Sequence, residues 1–183
     1  MTIEAGPDEM FTTKARAEDA EALTDLVNGA YRGDSSRRGW TTEADLLGGQ
    51  RIDLEGMLAL IAAPRQAVLV MRARSGLFAC VHVLEKPDHV AYLGMLTVRP
   101  ALQGSGIGRR MLSAAESYAR HEWGSRVMEM TVIDLREELL AWYERRGYRP
   151  TGEVRPFPYE DERFGLPKTG DLKMAVLARD ITT

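Results

Sequence analysis

The sequence predicts an α/β (α+β) fold in which helices lie on a mixed β-sheet, and three observations carry that prediction. Short apolar runs bounded by turn residues alternate with segments whose apolar residues recur at helical spacing. The 183 residues are 44% hydrophobic and 28% charged, the balance of an ordinary globular protein with room for one sizeable core. No repeat, low-complexity tract or linker interrupts them, so residues 1–183 read as one domain, with polar residues 1–9 as a flexible tail.

The elements follow in the order β-α-α-β-β-β-α-β-α-β-β. A short strand spans Phe11 to Arg16, and Asp19 is placed to cap a helix. Leu23, Leu26, Val27, Ala30 and Tyr31 share one face of that helix. Residues 33–53 are rich in Gly, Ser and Asp and read as a loop. The run "LEGMLALIAA" is a second helix stopped by Pro64. Strands "AVLVMRA" and "LFACVHVLEK" meet at a Ser75-Gly76 hairpin, and Pro87-Asp88 turns into "HVAYLGMLTV". Ile107, Met111, Leu112, Ala115, Tyr118 and Ala119 mark the buried face of a helix from Gly106 to Trp123. After the strand "RVMEMTV", Asp134 and Glu137 have capping-box spacing, and Gly147 closes the helix they open. Strands "YRPTGEV" and "DLKMAVLA" flank a Pro- and Gly-rich excursion over residues 155–170.

Composition narrows the function. A net charge of −3 lacks the basic excess of a general nucleic-acid binder. The single cysteine, Cys80, excludes a disulfide framework, and Cys80 with His82 at i, i+2 has no partner carboxylate in sight. The three histidines, His82, His89 and His121, have no metal-ligand spacing, so no metal is expected. The start "MTIEAGPDEMF" has neither the basic flank nor the apolar stretch of a leader, and no run has membrane-span length. The expectation is a cytoplasmic protein that binds neither nucleic acid nor membrane. A homodimer is left open.

The chemistry concentrates in "LTVRPALQGSGIGRRMLSAAE", residues 96–116. Glycine permits positive φ and close approach of a ligand to the backbone. The unpaired amides of a helix N-terminus and its dipole attract anions, phosphate above all. Gly104, Gly106 and Gly108 therefore form a candidate phosphate cradle, or an ordinary capping turn. The cradle is not a P-loop, because the chain has no Gly-Lys pair, and the glycine spacing does not fit G-x-G-x-x-G. What it does carry is Gln103-x-x-Gly106-x-Gly108, preceded by Val98-Arg99-Pro100 and opening a helix. This resembles the signature of the GNAT superfamily of acyl-CoA-dependent N-acetyltransferases. The element order resembles that family over nearly the whole chain, and implies a mostly antiparallel seven-stranded sheet with helices on both faces.

A second stretch, Trp142-Tyr143-x-x-x-Gly147-Tyr148, resembles the family's C-terminal motif. The resemblance implies acetyl transfer from acetyl-CoA, as co-substrate, to an amine on a small molecule, amino acid or peptide N-terminus. It implies that Leu96, Thr97 and Val98 hold the pantetheine. Residues Gln103, Gly104, Ser105, Gly106, Ile107, Gly108 and Arg109 would hold the pyrophosphate. Tyr143 takes the family role of general acid toward the leaving thiolate, a sensible one for a phenol protonated at neutral pH. Two positions depart from the family: Arg136 stands where many members have Asn, and Thr131 where some have a glutamate base. Glu129 shares a strand face with Thr131 and is the candidate base. Tyr31, Arg32, Trp40, Glu43 and Asp45 form one candidate acceptor wall, and Phe157, Tyr159 and Phe164 the other. Both charge signs occur there, so charge does not name the acceptor. A non-catalytic acyl-CoA sensor on the same fold, and an unrelated phosphate-binding enzyme, remain as alternatives.

Overall fold

The computed structural model of the chain describes residues 9–162 and 165–183. Strand β1 (Phe11–Lys14) leads through one 3-10 turn into α1 (Ala20–Tyr31). The connection that follows contains a four-residue helix, α2 (Gly33–Ser36), and a two-residue strand, β2 (Leu47–Gly48). Helix α3 (Leu54–Ala62) precedes an antiparallel meander of β3 (Gln66–Ala73), β4 (Gly76–Lys86) and β5 (Val90–Val98). Then come α4 (Ile107–Trp123), β6 (Val127–Ile133), α5 (Glu137–Glu144), β7 (Arg149–Pro156), β8 (Leu166–Pro167) and β9 (Lys173–Asp180). Seven strands form one sheet in the order β1-β3-β4-β5-β6-β9-β7, in which β5 and β6 are the parallel pair. Strands β2 and β8 pair with each other, a contact the sequence does not announce, since two residues carry no periodicity. No helix among the described residues is long and apolar enough to cross a membrane.

Strand β3 and the middle of β4 are buried on both faces, which explains their near-continuous apolar runs. Ala67, Leu69 and Met71 of β3, with Ala79, Val81 and Val83 of β4, pack against Ile107, Met111 and Leu112 of α4 and Tyr143 of α5. Val68 and Val70, with Cys80, face Leu23 and Val27 of α1 and Met57 of α3. The period of two along each strand thus sorts alternate residues to opposite helix layers.

Strand β5 breaks that alternation once. Ala91 and Leu93 face the α4 layer, yet Met95 lies in the opposite core and Leu96 and Val98 return to the first. The register with β4 slips by one residue at this point, and Met95 has φ 54°, the left-handed region that a non-glycine side chain rarely enters. The buried Thr97 hydroxyl donates to the Met95 carbonyl at 2.9 Å and closes the bulge. Its consequence is geometric. Strand β5 pairs with β6 over Val90–Tyr92 against Val127–Glu129 and there the two separate, while β6 stays paired with β9 up to Ile133. The sheet has an open wedge between them.

Two expected caps are corrected. Asp19 precedes α1 but does not cap it through its side chain; the carboxylate accepts from the Arg16 amide and from both terminal nitrogens of Arg72. The Arg72 and Arg16 contacts hold its pKa low against the opposing effect of burial. Asp134 does not form a capping box, because a turn from Ile133 to Arg136 delays the helix to Glu137 and leaves Asp134 too far back. Gly147 does close α5: at φ 91° it donates to the Glu144 carbonyl while Tyr148 donates to that of Tyr143, the paired bonds of a Schellman end.

Cys80 is fully buried, and burial pushes its thiol up to about 12, so no thiolate is available at neutral pH. Its neighbour His82 is bonded to Gln66 Oε1 at 2.6 Å. Burial first, and the Arg51 charge second, depress the imidazole from 6.5 to about 4. Between those values the unfolded chain takes up a proton that the native chain refuses. The stability His82 supports is complete above pH 6.5 and is lost as pH falls toward 4. Melting curves of wild type and His82→Gln should therefore diverge in pH dependence, the difference moving against wild type over that window. A difference in melting point that does not change with pH contradicts the assignment.

Candidate active site

Two clefts open into the wedge between β5 and β6, and they meet. The inner cleft runs from the glycine turn past Gly108, Val98 and Trp142. The outer one runs down the exposed flank of β6 past Thr131, Tyr92 and Arg51. Tyr31, Leu96, Arg136, Leu139 and Tyr143 line both and form the junction.

The inner cleft is built from the glycine turn upward. Gly104 and Gly106 have φ 82° and 86°, and a Cβ built on either would meet no atom within 4 Å. The turn is therefore bare for a conformational reason and open toward solvent. Gly106 is the N-cap of α4, so the first amides of that helix face outward without a capping side chain. Ile107 is buried and anchors the helix to the core. Gly108 forms the cleft wall, where a Cβ would lie 3.4 Å from Trp142. Ser105 bonds to the Leu102 carbonyl and tightens the turn. Arg109 is exposed and lines an outer groove with Arg120, Arg145, Arg146 and Arg179.

Beyond the bulge, the Arg99 amide donates to Phe78 of β4. By strand alternation the backbone polar groups of Leu96 and Val98 then face away from β4, into the wedge. Two side chains reach them. The Tyr31 hydroxyl donates to the Leu96 carbonyl at 2.8 Å, and Gln103 Nε2 donates to the Val98 carbonyl at 3.2 Å. The other end of Gln103 accepts from the Trp40 amide at 3.0 Å. Gln103 thereby ties residues 39–40 down onto the strand end, so tightly that a Cβ on Gly39 would overlap its amide. Burial, then Glu43, raise the Tyr31 phenol to about 12, which keeps it a donor.

Tyr143 is 5% exposed at the junction, and its ring meets those of Trp142 and Tyr148 edge-on at 5.0 and 5.8 Å. Burial first, then the neighbouring Tyr31, raise its pKa far above that of a free phenol. It is held protonated, as an acid must be before it acts. Trp142 continues the aromatic row: Arg146 lies 3.6 Å over its ring, and Trp40 lies 6.5 Å away, 45% exposed. The structure thus puts Trp40 over the inner cleft and not against Phe157 or Tyr159.

The other expected acceptor residues divide. Arg32 and Glu43 are buried. Glu43 takes Arg32 on Oε2 at 3.0 Å and Arg136 on Oε1 at 2.9 Å, and Arg136 also donates to Thr41. Asp45 pairs with Arg37 on the surface. Phe157 packs with Leu47, Ile133 and Leu172 in a small third core, and its ring contacts Tyr159 at 5.3 Å. Phe164 lies outside the described residues. Glu129 is not brought to the junction. It sits beside Tyr92 at the last paired position before the strands part, and Lys86 holds its carboxylate at 2.5 Å. Arg136, Arg51 and the hydrogen-bonded Tyr92–Thr131 pair are the lining groups that sequence reasoning missed. Arg136 and Thr131 had a signal, as departures from the family pattern. Among the described residues no cluster of His, Cys, Asp or Glu is suited to a metal ion.

Comparison with known proteins agrees with this architecture. The family model described as "Acetyltransferase (GNAT) family" matches residues 21–148. The fold is similar to that of the ribosomal-protein-S18-alanine N-acetyltransferase from Escherichia coli, with TM-score 0.70, 15% identity, and 96% of each chain covered. It is similar to yncA from Salmonella typhimurium, solved with its cofactor acetyl-CoA, at TM-score 0.68 and 19% identity, covering 96% of this chain and 95% of that one. It is also similar to the IAA acetyltransferase from Bacillus cereus ATCC 14579, at TM-score 0.63 and 19% identity, covering 94% of this chain and 99% of that one. No protein of curated function matches the sequence. A match over more than two thirds of the chain, on a fold shared along its length, makes this protein a member of the GNAT acetyltransferase family.

Proposed function

We propose that the protein transfers the acetyl group of acetyl-CoA directly to an amine acceptor. The observation that carries this reading is the meeting of two clefts at one protonated phenol, Tyr143, beside a strand edge whose backbone faces the gap. One cleft begins at an anion-binding turn, as a phosphorylated co-substrate requires. The other is open to a second reactant. A binding-only sensor needs the first cleft but has no use for the second.

The fit of acetyl-CoA rests on features of this chain. Gly104, Ser105 and Gly106 offer an open turn, and the amides of Ile107, Gly108 and Arg109 offer unpaired donors. The pyrophosphate belongs there, and the arginine-lined groove beginning at Arg109 suits the remaining phosphate. Leu96 and Val98 present one strand edge to the pantetheine, in the manner of an added strand. For that pairing Gln103 and Tyr31 yield the carbonyls of Val98 and Leu96, which they hold here. Release of Gln103 also frees Trp40, so the loop over the inner cleft opens as that cleft fills.

At the junction the neutral amine attacks the thioester carbonyl carbon. A C–N bond forms, the C–S bond breaks, the thiolate takes its proton from Tyr143, and the phenolate left there regains one from water. Amides at the bulge, where strand pairing is interrupted, stabilise the charge that develops on oxygen. The amine's surplus proton leaves toward water in the outer cleft along the Tyr92 and Thr131 hydroxyls. Glu129, engaged by Lys86, acts as a base only through that pair.

Two measurements test this. Tyr143→Phe should lower turnover of acetyl-CoA by roughly 10²–10⁴, the usual range for a general acid, with little change in acetyl-CoA affinity. Wild-type turnover in that variant would return Tyr143 to a purely packing role. Arg109 is an exposed cation in the first turn of α4, where it opposes the helix dipole. Arg109→Glu should leave the melting point unchanged or raise it, while acetyl-CoA affinity by calorimetry falls about tenfold or more. Unchanged affinity would place the phosphates elsewhere.

A further inference from the structure

The outer cleft holds more positive charge than acetyl transfer by itself requires. Arg51 and Arg136 line it, and Arg32 and Arg155 line the pocket into which it continues past Arg51, Tyr92 and Thr131. Glu43 is the one carboxylate among its lining residues, and Arg32 and Arg136 already share it. Arg155 is paired at 2.7 Å with Glu153, which lies outside the lining. Arg136 also has the Glu138 carboxylate at 3.9 Å, so of these four guanidinium groups Arg51 is the one that no carboxylate of the described residues meets.

The excess is located at Arg51. It lines both the outer cleft, which reaches Leu96 and Tyr143, and the pocket that continues it past Arg155. Its guanidinium lies over the Tyr31 ring, 5.8 Å from the centroid, and makes no ion pair with any described residue. It is half-buried, and its field extends inward: after burial, Arg51 is the remaining cause that lowers the proton affinity of His82. A guanidinium drawn partly out of water with no counter-charge is costly unless an anion joins it. A planar oxyanion is the group its fork of donors fits. A simple alkylamine or a polyamine would bring no such group, and its own positive charge would be repelled.

We infer that the acceptor carries, besides its reactive amine, an oxyanion of the carboxylate or sulfonate type that seats on Arg51. The inference rests on the acetyltransferase reading and sharpens it. The amine reaches the junction at Leu96 and Tyr143 while the anion stays at the Tyr31–Arg51 wall, so the acceptor is a small amino acid or aminosulfonate. Glu43 has a different part from the one its charge suggests in the sequence. It is a positioning residue that holds Arg32 and Arg136 in place, with its own charge spent on them.

The test compares matched pairs: each L-amino acid with its α-amide, and taurine with ethanolamine, by release of CoA from acetyl-CoA. The amides have the less basic amines and hence more of the neutral nucleophile, so chemistry alone favours them. The inference predicts the opposite, with kcat/KM for the preferred acid at least about tenfold above that of its neutral partner. Arg51→Gln should raise KM for that acid about tenfold, leave kcat and KM for acetyl-CoA within about twofold, and abolish the discrimination. Arg51→Lys should restore part of it, which a merely structural role would not require. Amides or ethanolamine used as well as the acids, or discrimination unaltered in Arg51→Gln, overturns the inference. So does the lack of turnover of any acid by a protein that acetyl-CoA stabilises thermally. No stabilisation by acetyl-CoA overturns the underlying reading instead.

Discussion

Everything at the site depends on one extra residue in β5. The bulge at Met95 reverses the strand's parity, returns Leu96 and Val98 to the α4 layer, and turns β5 away from β6. A regular β5 would pair with β6 along its whole length. The wedge would close, and the edge backbone of Leu96 and Val98 would be consumed in the sheet. The strain of a left-handed methionine, of order 1–3 kcal/mol by comparison with other such residues, is offset by burial of that side chain and by the Thr97 hydroxyl. The same bulge explains why Tyr31, at the end of α1, finds a backbone carbonyl to bond 65 residues further along the chain.

Charge organises what the bulge opens. The turn at α4 and the arginine groove beside it suit phosphates, the junction suits a protonated phenol, and the outer cleft is cationic. Burial acts on all three tyrosines of the region, Tyr31, Tyr143 and Tyr148, in the same sense and keeps each a donor at neutral pH. Tyr148 spends its proton structurally, on Glu116 at 2.8 Å, whose carboxylate also takes Arg179. Of the three, Tyr143 is the one at the meeting point of both clefts. Its neighbour Trp142 meets it edge-on and is itself held by the Arg146 guanidinium over its ring and by Gly108 of α4.

The parts legible in the sequence are those fixed by local chemistry. Glycines at positive φ, an apolar period of 3.6 in α4 and alternating apolar strands are short-range signals, and Gly104, Gly106 and the two-layered core follow from them. The bulge is not legible, because a methionine at φ 54° has no sequence signature. The β2–β8 contact is too short to have one. The sign of the acceptor cleft was hidden for a different reason. Arg32, Glu43 and Asp45 read as mixed charge in one loop, but Glu43 is neutralised by an arginine 93 residues away and Asp45 by Arg37 at the surface. What is left over, Arg51, stands in a loop with no motif around it. Trp40 likewise gave no direction: only the Gln103 strap, again from a distant element, sets it over the inner cleft.

The most direct test of the central claim is a crystal structure of the protein with CoA bound. The account predicts the pantetheine lying along Leu96 and Val98 in the wedge, its sulfur within hydrogen-bond reach, about 3.5 Å, of the Tyr143 hydroxyl. It also predicts Gln103 released from the Val98 carbonyl. CoA bound outside the wedge, with Gln103 still on Val98 and the sulfur remote from Tyr143, would contradict it.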